Sequence, residues 1–347
     1  MSRAPGTLRS ISLRTALVCA SALALSACGT RSSTTSAPVE GTPSINISVP
    51  LSQVACTQSN SCVAVGTSPS GGPSAAGQVR LHDGLWVAVA VPQVATAFVT
   101  SASCARSQCL LAGSQPTGDL VWRYDAAHRD VTALAAPPGG TGVDSLSCVD
   151  TSFCMLADTT ISGPRLFTTP DAGATWTPMT TPTAAAGDRI DHLACTSSSQ
   201  CLAVTQLAAG GVDISSTTDG GATWSVAAIG AAPSFSSVAS LSCAQRQCTM
   251  VDVTATGTGV SRGTDFGGRW GDVRAVSSTP SLVACTNAKH CVLTGRAARS
   301  TPWIETVVER HVAPVSLKYV PTPLDSLSCG TSVCAAVSAT TVVSLRP

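Results

Sequence analysis

Residues 143 to 158 read Val-Asp-Ser-Leu-Ser-Cys-Val-Asp-Thr-Ser-Phe-Cys-Met-Leu-Ala-Asp, and this pattern recurs in outline seven times along a chain of 347 residues. Each copy has a short segment ending in a cysteine, a polar linker of four or five residues, a second cysteine and an apolar run. The segments before the first cysteine read SQVAC, SASC, DSLSC, DHLAC, SLSC, SLVAC and DSLSC. The pairs are Cys56/Cys62, Cys104/Cys109, Cys148/Cys154, Cys195/Cys201, Cys243/Cys248, Cys285/Cys291 and Cys329/Cys334. First cysteines stand 48, 44, 47, 48, 42 and 44 residues apart, the period of a four-stranded propeller blade rather than of a helical repeat with its longer amphipathic runs. Seven copies give seven blades, each with a β-hairpin whose turn lies between its cysteines.

Two residues before the first cysteine stand Val54, Ala102, Leu146, Leu193, Leu241, Val283 and Leu327, all apolar. One residue before it stand Ala55, Ser103, Ser147, Ala194, Ser242, Ala284 and Ser328, all small. Successive strand residues point to opposite faces, so one face packs into a neighbouring blade and the other admits only a small group. That asymmetry assigns the segment to the innermost strand, where the blades crowd the axis. The second half of each copy supplies an outer hairpin. The last copy stops after a third strand, Thr341 to Leu345, whereas Ile45 to Val49 alternates apolar and polar just before the first inner strand. The predicted body is therefore an all-β, seven-bladed propeller over residues 44–347, with a three-plus-one closure through 45–49 that removes a free edge.

Paired cysteines on either side of a hairpin turn can meet the separation a disulfide needs, giving one bridge per blade. A zinc site would need four ligands at one point, and successive pairs lie on different blades. Each bridge closes about seven residues and contributes roughly 2 kcal/mol by loop entropy. So many cysteines require an oxidising compartment.

The N-terminus supplies a route there. Arg3, Arg9 and Arg14 precede an apolar run from Ala16 to Ala27 that is too short to span a bilayer and reads as a signal peptide over residues 1–27. Its end, Leu25-Ser26-Ala27-Cys28-Gly29, resembles the lipobox of bacterial lipoproteins. That resemblance implies acylation of Cys28 and anchorage on the outer face of the cytoplasmic membrane; the alternative is an ordinary signal peptide cut after Ala27. Residues 29–43 are rich in Ser, Thr, Pro and Gly, so 28–43 reads as a lipidated cysteine and flexible tether. Without 1–27 the chain holds 17 basic and 19 acidic residues, a net −2. No basic stripe marks a nucleic-acid binder.

Thr169-x-Asp171-x-Gly173-x-Thr175-Trp176 and Thr217-x-Asp219-x-Gly221-x-Thr223-Trp224 resemble the Asp-box, or BNR repeat, of sialidases and related propellers. Asp265, Gly267 and Trp270 form a degraded third copy, and Asp83-Gly84-x-Trp86 a shortened fourth. The resemblance implies structural turns: Asp accepts backbone N–H groups, Gly permits positive φ and Trp packs between strands. Sialidase chemistry would need three arginines, an acid and a Tyr nucleophile with a nearby Glu. The chain offers only Tyr124 and Tyr319 as nucleophiles, with Glu305 and Glu309 the acids nearest Tyr319, in a segment reading as outer strands, and Asp188-Arg189-Ile190-Asp191 is only an echo of the family's Arg-Ile-Pro segment. His82, His128, His192, His290 and His311 are scattered singly. No catalytic residue, metal or cofactor is assigned.

Four residues before the first cysteine stand Ser52, Thr100, Asp144, Asp191, Ala239, Ser281 and Asp325. Six are polar, and they are expected to ring the channel mouth opposite the disulfide hairpins and the Asp-box turns. Asp144, Asp191 and Asp325 there could hold a cation or a basic segment of a partner. The sequence thus favours a monomeric, non-catalytic scaffold that binds an envelope or extracellular protein. A glycan-active propeller, hydrolase or lectin, is the alternative. Asp-box propellers also resemble the photosystem II assembly factor family, in which such a platform serves other complexes.

Overall fold

The computed structural model describes residues 50–347 except 68–71, 79–85, 93–96, 184, 227–234, 265, 267–268, 273–278, 297–301, 309–310, 316–323, 339–340 and 346–347. The chain is a seven-bladed β-propeller. Six antiparallel sheets have four strands in simple meander order, Gln53–Val89 forming blade 1 and Thr279–Val315 blade 6. Blade 7 shows three strands, Ser326–Cys329, Cys334–Ser338 and Thr341–Leu345. The expected closing strand at 45–49, like the signal segment, Cys28 and the tether, lies outside the described residues.

The first strands of consecutive blades touch in order around the ring, and that of blade 7 returns to that of blade 1. These are the inner strands, as the small residues beside the cysteines imply. The second strands, such as Cys154–Thr160 and Cys201–Gln206, are buried on both faces, because each blade is sandwiched between two others. They therefore read as continuous apolar runs, whereas the outermost strands of blades 3 and 4, Thr177–Met179 and Ser225–Val226, are largely exposed. The core is a set of inter-blade clusters: Leu146, Leu156 and Phe167 of blade 3 pack on Leu110 and Val121 of blade 2, and Leu193 and Ala203 of blade 4 on Met155 and Leu166.

Seven disulfides join the paired cysteines, one in each blade, with Cα atoms 3.9–4.0 Å apart. In every blade the two cysteines are direct cross-strand partners: Cys56 with Cys62, Cys104 with Cys109, Cys148 with Cys154, Cys195 with Cys201, Cys243 with Cys248, Cys285 with Cys291 and Cys329 with Cys334.

Spacing alone sets both cysteines of a pair beside a turn and does not distinguish them. The structure corrects this, because the two differ in burial. Cys62, Cys109, Cys154, Cys201, Cys248, Cys291 and Cys334 are at most 2% exposed and belong to the inter-blade clusters. Each opens or nearly opens a second strand, which neighbouring blades cover on both faces. Their partners Cys104, Cys148, Cys195, Cys243, Cys285 and Cys329 are half-buried, and Cys56 is buried. The second sulfur of each bridge is thus core packing as well as half of a clasp, and it presents nothing to a ligand.

The small residue preceding the first cysteine also joins blades. Where it is serine, its hydroxyl accepts the N–H of the next blade's first cysteine. Cys148 N–H donates to Ser103 at 2.9 Å, Cys195 to Ser147 at 2.8 Å, Cys285 to Ser242 at 3.0 Å and Cys56 to Ser328 at 3.0 Å. The residue two places earlier repeats the contact: Leu193 N–H donates to Ser145, Val283 to Ser240 and Val54 to Ser326, at 2.9, 3.1 and 3.1 Å. The last of these pairs, with Cys56 and Ser328, joins blade 7 to blade 1.

Glycines in the second strands mark where the chain crosses closely into the inner strand. A Cβ on Gly66, Gly113 or Gly295 would lie 2.1, 1.9 or 2.1 Å from the carbonyl oxygen of Pro50, Phe98 or Thr279. The same strand position in blades 3 and 5 holds the buried Asp158 and Asp252.

Candidate functional site

The position four residues before each first cysteine is a β-bulge. In blades 2 to 6 the ladder slips there, skipping Thr100, Asp144, Asp191, Ala239 and Ser281. In blades 1 and 7 the N–H of Ser52 and Asp325 donates to the carbonyls of Val65 and Val337, already partners of Gln53 and Ser326. A bulge leaves its residue out of the pairing and re-aims its side chain, which is why the column is polar.

Asp144 and Asp191 come together in an open cleft of about 380 Å³ lined by Thr100, Val143, Asp144, Arg189, Asp191 and His192, where blades 2, 3 and 4 meet. Asp325 lies exposed on blade 7 and is not part of it. The inner strands start at this face, whereas the disulfide turns and the Asp171 and Asp219 turns lie together at the strands' other end. The N–H of Ala172 donates to Ser152 O, and that of Gly220 to Ser199 O.

Arg189 stands between the two carboxylates, its Nε 2.5 Å from Asp191 Oδ1 and 3.9 Å from Asp144 Oδ1. The Thr159 hydroxyl donates to Asp144 Oδ2 at 2.5 Å. Burial pushes the Asp144 carboxyl up to about 6; the Thr159 hydroxyl and Arg189 oppose the rise, and Asp191 and Asp158 add to it. His192 is pushed down by burial and shares a 2.9 Å hydrogen bond between Nε2 and Val238 O of blade 5. Sequence reading sets Arg189 aside as a failed motif and His192 as an ordinary residue; only the bulge at Asp191 brings both to the cleft.

Behind the cleft lies a second charged group. Asp158 is fully buried and takes the guanidinium fork of Arg165 at 2.9 and 2.5 Å. Arg165 also donates to Pro138 O and lies over the Phe167 ring. Asp119 of blade 2 faces Asp158, and no donor reaches either of its carboxylate oxygens. Burial pushes Asp119 up to about 7, helped by the hydrogen bond and negative charge of Asp158.

In the two best Thr-x-Asp turns the Asp side chain organises the loop. Asp171 Oδ1 accepts from Thr175 N–H at 2.8 Å and Oδ2 from the Thr175 hydroxyl at 2.6 Å; Asp219 does the same with Thr223 at 2.9 and 2.6 Å. Gly173 and Gly221 hold φ of 84° and 96°. Trp176 and Trp224 do more than pack between strands: each Nε1–H donates to a carbonyl of the preceding blade, Ala135 at 3.1 Å and Thr180 at 2.9 Å. Asp265, Gly267, Asp83 and Gly84 lie outside the described residues, whereas Trp86 and Trp270 are buried core. Tyr124 is buried among blades 1 and 2, out of reach of any substrate, and Tyr319 is outside the described residues. Among the described residues no three His, Cys, Asp or Glu side chains are grouped to hold a metal ion.

No protein-family model and no curated protein matches the chain. Solved structures do. YCF48 bound to D1 peptide aligns with a TM-score of 0.63 at 13% identity, over 90% of this chain and 97% of that one. The GH74 xyloglucanase of Xanthomonas campestris aligns at 0.63 and 11% identity, over 89% of this chain and 54% of its own. Virginiamycin B lyase of Staphylococcus aureus aligns at 0.63 and 11%, over 89% and 99%. At such identities the likeness establishes the propeller fold alone, which hosts unrelated activities.

Proposed function

We propose that the protein is a lipid-anchored, extracytoplasmic propeller that binds a protein partner without catalysis. The observation that carries this reading is the Asp144–Arg189–Asp191 cleft, an open hollow with three converging charged groups at the end of the ring remote from the disulfide turns. Preformed concave sites with a few converging polar groups suit recognition. YCF48, similar in fold, has a bound D1 peptide, which supports a peptide or protein ligand here. The lipobox-like Cys28 and its tether support placement on the outer face of the cytoplasmic membrane. In-cell cross-linking followed by identification of what co-purifies tests the binding role: one reproducible envelope partner is expected, and none would overturn it. Loss of palmitate labelling in Cys28→Ser tests the anchor.

A second reading, a glycan-active propeller, is favoured by one observation: a carboxyl raised to about 6 beside a second carboxylate resembles an acid–base pair. Arg189 ties up Asp191, which favours binding over hydrolysis. Turnover of a fluorogenic sialoside, or retention on a glycan array without a protein partner, would reverse that preference.

A further inference from the structure

Among the described residues three large hydrophobic side chains are exposed, and two of them stand two residues along the chain from groups that line or hold the cleft. Phe98, 57% exposed, stands two residues before Thr100 on the same strand; Ile161, 95% exposed, stands two residues after Thr159, the threonine that holds Asp144. Ile161 sits at the tip of the hairpin between Cys154–Thr160 and Gly163–Thr169. Turn tips favour Gly, Asn, Asp or Ser for conformational reasons, so an exposed β-branched side chain gains nothing from the turn itself.

The cleft is lined by two carboxylates, Asp144 of blade 3 and Asp191 of blade 4, against a single guanidinium, Arg189, with the half-buried His192 beside them, so its lining is net negative. The two inward carboxylates are unequally satisfied. Asp191 holds Arg189 at 2.5 Å, but Asp144 offers Oδ1 to a cation no nearer than 3.9 Å, beyond hydrogen-bond reach. Its other oxygen is fixed by Thr159, so the carboxylate is oriented while one acceptor faces the cleft.

We infer that Phe98, Ile161, Asp144 and Asp191 form one docking surface for an extended segment of a partner protein that carries a lysine or arginine flanked by apolar side chains. The inference deepens the protein-binding reading and rests on it. The incoming cation takes Asp144 Oδ1, and Arg189 stays with Asp191. The apolar neighbours cover Ile161 on blade 3 and Phe98 on blade 2. Binding requires the ionised Asp144 and so weakens as pH falls through about 6.

The probe is a library of random dodecapeptides displayed on phage and selected against the oxidised full-length chain, with variants checked for fold by circular dichroism. Selected peptides are expected to carry Lys or Arg beside Leu, Ile, Val or Phe. Asp144→Asn is expected to weaken them about tenfold or more, as for loss of a hydrogen bond to a charged group. The double variant Phe98→Ser/Ile161→Ser should do likewise. Acidification from pH 7.5 to pH 5 should weaken binding to the wild type and leave Asp144→Asn unchanged. Selected peptides without a basic residue, or bound equally well by Asp144→Asn at both pH values, overturn the surface and leave the protein-binding reading standing. Failure to enrich any peptide overturns the surface; if cross-linking also yields no partner, it takes with it the reading beneath.

Discussion

Replacing Asp119 by Asn should make this protein more stable at pH 8 and leave it nearly unchanged at pH 5. Asp119 is 8% exposed, faces the fully buried Asp158 and receives no donor. Its carboxyl is raised from 3.8 to about 7, so the native state holds this proton more tightly than the unfolded chain does. The stability this provides is full below the unfolded pKa and is lost as pH rises through the native one. A shift of about three pKa units corresponds to a ceiling of about 4 kcal/mol, and water near the cleft edge lowers the expected value to about 2 kcal/mol. An Asn amide carries no charge at any pH and so removes the penalty of ionising a buried carboxyl above pH 7. Urea unfolding followed by tryptophan fluorescence, disulfides intact, reads this directly. Equal destabilisation of Asp119→Asn at pH 5 and pH 8 would refute the raised carboxyl, because it would show that Asp119 works as an ion.

Other substitutions probe the ring itself. Ser147→Ala should strip the N–H of Cys195 of its acceptor and lower stability by about 1–2 kcal/mol, read as a lower Tm, whereas Ala194→Ser, which supplies the missing acceptor to Cys243, should raise it. Gly113→Ala drives a methyl into Phe98 O, 1.9 Å from the ideal Cβ, and should lower soluble yield sharply; Gly142→Ala, which meets nothing within 4 Å, should not. Cys148→Ser/Cys154→Ser should lower stability by more than the roughly 2 kcal/mol of loop entropy, because a hydroxyl replaces the buried Cys154 sulfur, and should leave the secondary structure seen by circular dichroism unchanged. In Asp219, held down to about 2 by the Thr223 hydroxyl and N–H, the stabilising charge persists above pH 4 and is lost as pH falls toward 2. Asp219→Asn should therefore flatten that part of the acid-unfolding profile.

The blade count, the inner strands and all seven disulfides could be read from spacing, because each depends on residues five or six apart meeting across one hairpin. Spacing could not tell the buried Cys62, Cys109, Cys248 and Cys291 from their less covered partners, since that difference comes from neighbouring blades. The site was only half legible. A polar column at Asp144, Asp191 and Asp325 stood out, but the bulge that re-aims each of these side chains cannot be seen in a strand's composition, and Asp144 and Asp191 meet because blades 3 and 4 are neighbours. Arg189 stood out only as part of an echo of a family motif, and Arg165 drew no notice, since their partners, Asp191 and Asp158, are brought to them by the fold. Ser103 and Ser147 were read as merely small; their hydroxyls find acceptor roles more than 40 residues away along the chain. Asp119, which needs the next blade to raise its carboxyl, had no signal in sequence at all.

The placement of each disulfide at the neck of a hairpin bears on how the chain reaches its oxidised form. Fourteen cysteines could in principle pair in about 10⁵ ways. Native partners here are five or six residues apart in sequence, and loops of that size close in well under a microsecond. The nearest wrong partner is a whole blade away. In an oxidising medium each cysteine therefore meets its native partner far more often than any other, and each blade can be sealed without reference to its neighbours.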